Sequence, residues 1–543
     1  MLKVNTSIRT QIQSALGHPI MAGNIDGVDY QCNVAFALAK AHGRRPFDVA
    51  TKIVAGFKCP LATATAHQSG FINLRLTDVA LDHVAKFVVE NNALPLAPQA
   101  PRTIFFDYGG ANIAKELHIG HLRSPIIGEA LKRTFKAFGH KTIADTYLGD
   151  WGLQMGLVIA QLGDEGFIDG DKFVKPVDLD TFNVLYPRAS GRNKTEPEFR
   201  ERAADITAKL QNKVEPYFTL WQHIRKISVD KIRESYETLG CTFDTYCGES
   251  DAAPFVDEVI AKLRTHGAHQ SQGCLVLDVA HENETRPMPP VILQKTNGGD
   301  LYATSDIATI YYRAKKYHPN QFVYTSDFRQ ELHMEQVFRT ARIGGLVPAD
   351  TVLTHVSYGT MNGHDGKPFK TRSGDTVKLD DIIKMVTDYA LKKMQKPDRE
   401  VAQKIGLAAL KFGDLANTVR KDYVFDIEKF TAFEGKTGPY LLYTIARINS
   451  ILEKDKTKPT DTAPTREVST AVVKLADAYT LVTETYSLNP IVDAAYNIAN
   501  KFNVLYANET IIGNAKNIAT ARLAHCALEI ALDTLAIPTV KEM

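Results

Sequence analysis

The chain has 543 residues, 44% hydrophobic and 23% charged, and its 64 Lys and Arg against 62 Asp and Glu leave a formal net charge of +2. That apolar content can build cores for roughly three to four domains and excludes disordered, collagen-like and coiled-coil classes. The near-zero balance excludes a globally polycationic nucleic-acid binder, so a nucleic-acid partner would have to meet local basic patches.

Taken in chain order, Ile8, Ile12 and Leu16 recur at helical spacing and predict a first helix. A second helical pattern covers Gln31–Ala41, and Phe71–Leu76 alternates as a strand does. Residues 1–100 therefore read as an α+β domain, closed by the proline-rich stretch Leu94–Pro101. In residues 101–380 strand and helix signals alternate. Thr103–Asp107 and Lys141–Leu148 read as buried strands, each followed by a glycine-bearing turn and a helix, which predicts a parallel α/β sheet. Residues of about 165–270 read as a largely helical insertion. From 381 to 543 strand signals nearly vanish, and Glu453–Arg466 reads as a loop within that helical part. Cys32, Cys59, Cys241, Cys247, Cys274 and Cys526 form no C-x-x-C pair, so reduced thiols and no metal site are expected. With no run of ~18 apolar residues and no secretory leader pattern, the expected location is the cytoplasm, without membrane contact.

The strongest local signal is Ala111-Asn-Ile-Ala-Lys-Glu-Leu-His-Ile-Gly-His-Leu-Arg123, between the strand ending at Asp107 and a helix expected over Leu122–Phe138. His118 and His121, three apart, share one face of a helical turn, and Gly120 between them allows a nucleotide to approach the backbone. With the free N–H groups of a helix start, the segment suits ATP phosphates and the charge that develops in nucleotidyl transfer. A second signal, Gly366-Lys-Pro-Phe-Lys-Thr-Arg-Ser-Gly374, places Lys367, Lys370 and Arg372 in a glycine-flanked loop. Cations there would neutralise departing pyrophosphate, although a solvated basic loop is the commoner reading of such a stretch alone.

His118-Ile-Gly-His121 resembles the HIGH signature of class I aminoacyl-tRNA synthetases, and Lys367-Pro-Phe-Lys-Thr371 resembles the K-x-x-K-[ST] form of their second signature. The string Asn112–Ser124, with Leu148-Gly-Asp-Trp-Gly152, Tyr302-Ala-Thr-Ser-Asp306, Glu434-Gly-Lys-Thr-Gly-Pro-Tyr440 and Asp29-Tyr-Gln-Cys-Asn33, is similar to the arginyl-tRNA synthetase family, nearly end to end. The resemblance implies a Rossmann-type catalytic domain over 101–380, an N-terminal domain touching the tRNA elbow, and stem helices with an all-α anticodon-binding bundle over 381–543. It implies a monomer whose substrates are L-arginine, ATP with Mg²⁺, and tRNA(Arg), with activation that needs bound tRNA. His118, His121 and either Lys370 or Lys115 would be catalytic. Gly120, Lys367, Thr371 and His333 would meet ATP, and Asn112, Tyr302, Asp306 and Gln330 would meet arginine.

The chemistry is consistent with that substrate, because a guanidinium needs a carboxylate that pairs bidentately beside neutral acceptors. Asp306, four residues past Tyr302 at a helix start, is the candidate, although a helix-start acid serving the dipole is its plain alternative. Thr146 stands where the family usually has Asn. Lys392, Lys393, Lys396, Arg399, Lys404, Lys411, Arg420 and Lys421 against three acids form a basic stripe for tRNA phosphates, and Tyr440 and Tyr443 are candidates for base stacking. A lysine-specific synthetase and a silent tRNA-binding homologue are the competing readings.

Overall fold

Three consecutive buried apolar side chains, Ile104, Phe105 and Phe106, make Thr103–Asp107 an inner strand of a four-stranded, all-parallel sheet. In the computed structural model, which describes residues 7–23, 25–282, 284, 287–295, 302–367, 369, 377–455 and 462–543, the order across this sheet is Val352–Tyr358, Gln321–Asp327, Thr103–Asp107, Lys141–Asp145. Alternate side chains serve opposite faces. Ile104 and Phe106 join a core containing Leu131 and Phe135 of the helix Arg123–Ala137. Phe105 joins a second core with Ile307 and Ile310 of Tyr302–Tyr317 and Val337 of Glu331–Ile343. The chain order reverses between Thr103–Asp107 and Gln321–Asp327. Beyond the carboxyl ends of strands at such a switch point a crevice opens, and ligands of α/β sheets bind there.

Several expected boundaries shift. The strand expected over Lys141–Leu148 leaves the sheet at Asp145, and Leu148–Gly149 pairs instead with Ala111–Asn112. The helix expected over Leu122–Phe138 runs Arg123–Ala137, preceded by a short 3₁₀ turn, Ile119–His121. Gly128 permits this helix to lie against the adjoining loop, because a Cβ there would sit 2.2 Å from the Tyr108 ring. Tyr30–Cys32 form a buried strand paired with Ile72–Leu76, so the expected helix from Gln31 starts only at Val34. Between Glu165 and Gly273 lie a short hairpin, the helices Leu179–Thr195, Pro197–Gln211, Tyr217–Thr238 and Val256–Thr265, and the first strand of an antiparallel sheet completed by Cys274–Leu277 and Val291–Gln294.

Beyond 378 the regular elements among the described residues are helices, except for the strand Tyr423–Val424, which pairs in parallel with Met361–Asn362. One member of the expected basic stripe cannot meet a phosphate. Lys411 is fully buried, and its Nζ donates to the Ala536 carbonyl 2.5 Å away. The N-terminal part docks on the C-terminal helices. Asp78–Asn91 packs against Arg466–Thr485 and Ala515–Thr534, and Arg466 Nη2 lies 2.8 Å from Asp29 Oδ2. The Tyr30 hydroxyl donates to Asp477 Oδ2 at 2.6 Å.

Burial pushes the Asp477 carboxyl up to about 6, against the Tyr30 hydrogen bond and then the Arg9 charge. Unfolded, the same group ionises near 3.9. Between these values the folded protein holds the extra proton, so stability falls as pH rises through the window and stays lower above it. Asp477→Asn is neutral throughout. It is expected to raise the melting temperature by roughly 2–6 °C at pH 7.5 and to change it by less than about 1 °C at pH 4. Scanning calorimetry at the two pH values checks both.

Candidate active site

At the switch point the floor of the crevice is built from charge. Arg313, on the helix Tyr302–Tyr317, is fully buried and places Nη1 2.5 Å from Asp107 Oδ2 and Nη2 2.5 Å from Asp145 Oδ2. Both carboxylates end strands of the parallel sheet, and their Cα atoms are register partners. The Tyr324 hydroxyl accepts from Arg313 Nη1 at 3.1 Å. Burial outweighs the Arg313 charge at Asp107 and pushes its carboxyl up to about 6.

Above this floor lies a cavity of about 300 Å³, of the size that takes a small ligand. It brings together six of the expected residues, Asn112, Gly120, His121, Tyr302, Asp306 and Gln330. Asp306 stands two helical turns before Arg313, on the same face. Burial raises the Asp306 carboxyl above its ordinary range, opposed by His333, whose Nε2 lies 2.6 Å from Oδ2. His333, expected beside ATP, is thus found at the acidic end, with its ring stacked on Tyr302 at 4.8 Å between centroids. The cause is the helix Glu331–Ile343, which starts directly after Gln330 and packs on Tyr302–Tyr317.

Two further lining residues were not singled out from the sequence. Glu249 reaches the same cavity, and its carboxyl is pushed up to about 7 by burial, then by Asp150 and Asp306, against an N–H bond from Trp151. Tyr147 lines it with its hydroxyl 3.2 Å from Thr309 Oγ1. Glu249 lies in the insertion, far in sequence from every signature, and the only available cue was its place after a strand-like Thr245–Cys247. Thr146 turns away and donates to the Gly109 carbonyl at 2.6 Å.

The other end of the cavity is the histidine turn. Ala114, at φ 57°, redirects the chain, and Ser228 Oγ accepts its N–H. The His118 N–H donates to His121 Nδ1, and the Gly120 N–H donates to His118 Nδ1, each at 3.0 Å. The two rings lie 4.0 Å apart. Burial, with the neighbouring His118 and Lys115 charges, depresses His121 to about 3, and burial with Lys115 depresses His118. Both imidazoles are therefore neutral near pH 7. With Nδ1 accepting, each carries its proton on Nε2 and can donate outward. Gly120 has a steric reason as well as an open approach, because a Cβ there would sit 2.8 Å from the His118 ring.

Lys115 does not line this cavity. Its Nζ lies 4.3 Å from the Tyr186 ring centroid, beside a small cleft containing Lys378. Lys367 is exposed, in a turn where the Gly363 N–H bonds its carbonyl at 2.8 Å. Lys370, Thr371 and Arg372 lie outside the described residues. The far root of that loop is tied to the histidine segment. The Ile119 N–H bonds the Val377 carbonyl at 2.9 Å, and the Leu379 N–H bonds the Leu117 carbonyl at 3.0 Å.

In the C-terminal helices, Tyr443, Arg447, Tyr506, Ile512 and Met543 line an open cavity of about 810 Å³. The Arg447 guanidinium carbon lies 4.6 Å and 4.4 Å from the Tyr443 and Tyr506 ring centroids. Tyr440 instead accepts from Asn503 at 2.9 Å and packs on Tyr496.

Residues 83–427 match the family described as tRNA synthetases class I (R), catalytic domain. Residues 441–543 match the DALR anticodon binding domain, and residues 4–76 the arginyl tRNA synthetase N terminal domain. The arginine–tRNA ligase of Alkaliphilus oremlandii is 38% identical, over 95% of this chain and 94% of that protein. That of Francisella tularensis is 35% identical over 95% and 94%. The fold superposes on the arginyl-tRNA synthetase of Plasmodium falciparum with a TM-score of 0.83 at 22% identity, covering 99% of this chain and 98% of that one. For the Thermus thermophilus enzyme the TM-score is 0.79 at 21% identity, covering 99% of each.

A cation entering the acidic end would draw the Glu249 proton off. Binding of an alkylguanidinium should release protons near pH 6.5 and tighten by roughly threefold to tenfold from pH 6 to pH 8. Calorimetry in buffers of different ionisation enthalpy measures this, and Glu249→Gln should abolish the proton release.

Proposed function

The chain belongs to the class I arginyl-tRNA synthetases and joins arginine to tRNA at the expense of ATP, and we propose that the acidic end of its cavity holds the arginine side chain while the histidine turn holds the ATP phosphates. The observation that carries this division is the pair Asp306 and Glu249, two half-buried acids of raised pKa facing one cavity. A cation arriving between them stabilises the charged form of both carboxyls. A planar guanidinium supplies that charge and can meet Asp306 bidentately, with Tyr302 and Gln330 beside it. His333 acts through Asp306 by fixing its orientation. Asn112, by the histidine turn, takes the α-amino or carboxylate end. A lysine ammonium would satisfy the charge but not the fork of donors, which favours arginine.

In the first step the arginine carboxylate attacks the α-phosphate, pyrophosphate leaves, and arginyl-adenylate forms. His118 and His121 donate through Nε2–H to phosphate oxygens, and Gly120 keeps the approach open. Lys370, with Lys367 and Thr371, supplies charge to the leaving group, and Lys115 is the alternative ammonium. The turn presents N–H donors, which do not ligate a metal ion, so Mg²⁺ is placed with ATP as its substrate complex and no step passes through protein ligands. In the second step a terminal ribose hydroxyl of tRNA, the 2′ in this class, attacks the adenylate carbonyl and AMP leaves. The rate enhancement comes from positioning and preorganised donors, with no covalent enzyme intermediate.

For tRNA, we assign the phosphate backbone to Lys392, Lys393, Lys396, Arg399, Lys404, Arg420 and Lys421, unpaired anticodon bases to the Tyr443–Arg447–Tyr506 cavity, and the elbow to the N-terminal domain. Domain limits of 1–100, 101–380 and 381–543, a monomeric state and a cytoplasmic site of action complete the reading.

Aminoacylation of unfractionated tRNA with twenty separate amino acids tests the function, and arginine alone should be charged. Asp306→Asn should lower kcat/KM for arginine by roughly a hundredfold or more while tRNA affinity stays within about threefold. His121→Ala should slow pyrophosphate exchange by about a hundredfold to a thousandfold with tRNA affinity again preserved.

A further inference from the structure

Two residues beyond His121, the guanidinium of Arg123 is buried away from the substrate cavity and joins segments that are remote in sequence. Its Nε lies 2.9 Å from Asp414 Oδ2, on the helix Arg399–Leu415, with the two side chains 4% and 0% exposed. Its Nη1 donates to the Gly359 carbonyl at 2.5 Å and toward the Lys421 carbonyl at 3.4 Å. The Tyr358 and Tyr423 rings lie 5.6 Å and 5.0 Å from its carbon centre. The Tyr423 hydroxyl closes the set by donating to Asp414 Oδ2 at 2.8 Å.

These partners lie at the roots of the segments that the proposed reaction uses. Gly359 follows the strand Val352–Tyr358 and leads through Met361–Asn362, paired with Tyr423–Val424, into the second-signature loop. A Cβ on Gly359 would sit 2.5 Å from the Lys421 backbone, so the two segments meet only because residue 359 is glycine. Asp414, Arg420 and Lys421 belong to the basic stem. One planar fork therefore fixes the histidine turn, the root of the phosphate loop and the stem against each other. Stability alone gives a weak reason for such a pair, since apolar residues of similar volume often serve a buried site as well or better. The arrangement is also imperfect as a stabilising device, because Asp414 Oδ1 is buried without a hydrogen-bond partner among the described residues. What the fork supplies is geometry.

We propose that Arg123 and Asp414 are a positioning pair for adenylate formation, through which a tRNA seated on the stem aligns the histidine turn with the second-signature loop. The proposal rests on the reading of the stem as a tRNA face. The pair touches no substrate and acts through His118, His121 and the loop.

The test uses the full chain with Arg123→Lys, which keeps charge but loses the fork, and Asp414→Asn, which keeps shape but loses charge. At saturating arginine, ATP and tRNA, pyrophosphate exchange should fall about tenfold or more, while KM for arginine and tRNA affinity stay within about threefold. Transfer from preformed arginyl-adenylate to tRNA should also stay within about threefold. Exchange as fast as in the unaltered protein overturns the proposal, as does a parallel loss of exchange, transfer and tRNA affinity, which marks a purely structural role. If both variants fail to fold by circular dichroism, Tyr423→Phe decides. Exchange slowed about threefold or more with transfer unchanged supports the pair, and unchanged exchange overturns it. An unaltered protein that neither binds tRNA nor exchanges pyrophosphate overturns the stem reading and the pair together. An active one beside an equally active variant overturns the pair alone.

Discussion

The charge of Arg313 has no water to solvate it, and Asp107 and Asp145 at the ends of two neighbouring strands stand in for that water. Leaving such a buried charge without one partner costs about 3–5 kcal/mol, so helix Tyr302–Tyr317 is held at one height against the sheet. That height decides where Asp306 and Tyr302, on the first turns of the same helix, meet the cavity. The helix Glu331–Ile343 packs on Tyr302–Tyr317 and brings His333 to the Asp306 carboxylate and the Tyr302 ring. The acidic end of the site is thus an extension of the ion pair beneath it.

The two ends of the cavity are electrically unlike. At one, burial raises both Asp306 and Glu249, and Asp306 adds to the rise at Glu249, while His333 and Arg313 oppose it at Asp306. At the other, the backbone N–H groups of a tight turn occupy Nδ1 of both histidines and leave neutral imidazoles with outward donors. A neutral donor directs a hydrogen bond at a phosphate without changing protonation in the working pH range. In the proposed division, a cation bound at one end and a polyphosphate at the other bring the arginine carboxylate and the α-phosphate toward the same middle.

A near-neutral whole chain conceals local charge. The stem from Lys392 to Lys421 leaves Lys392, Lys393, Lys396, Arg399, Arg420 and Lys421 exposed on two helices and the turns beside them, yet Lys411 is turned inward to the Ala536 carbonyl. Charge counts along a helix do not distinguish the two: Lys411 lies two turns beyond Lys404 on the same face of Arg399–Leu415, and it is buried because the segment at Ala536 covers that part of the face. The same packing carries Arg123 into the interior, where it joins the histidine turn to that stem.

The sequence by itself determined the elements whose signals are local. His118-Ile-Gly-His121 after a strand, the alternation over residues 101–380, the helical periodicity beyond 381 and the Tyr302–Asp306 spacing all depend on neighbours within one or two turns. Only the tertiary structure decided what depends on long-range register. Glu249 joins Asp306 because the insertion folds back over the sheet edge, and His333 leaves the phosphates because its helix packs on Tyr302–Tyr317. Thr146 serves the Gly109 carbonyl instead of the substrate, and a strand at Tyr30–Cys32 displaces the start of a helix because its partner lies forty residues on, at Ile72–Leu76. The physical reason is common to these cases. A side chain's type and its local period state what it can bond, whereas burial and a partner far along the chain select which of those bonds it makes.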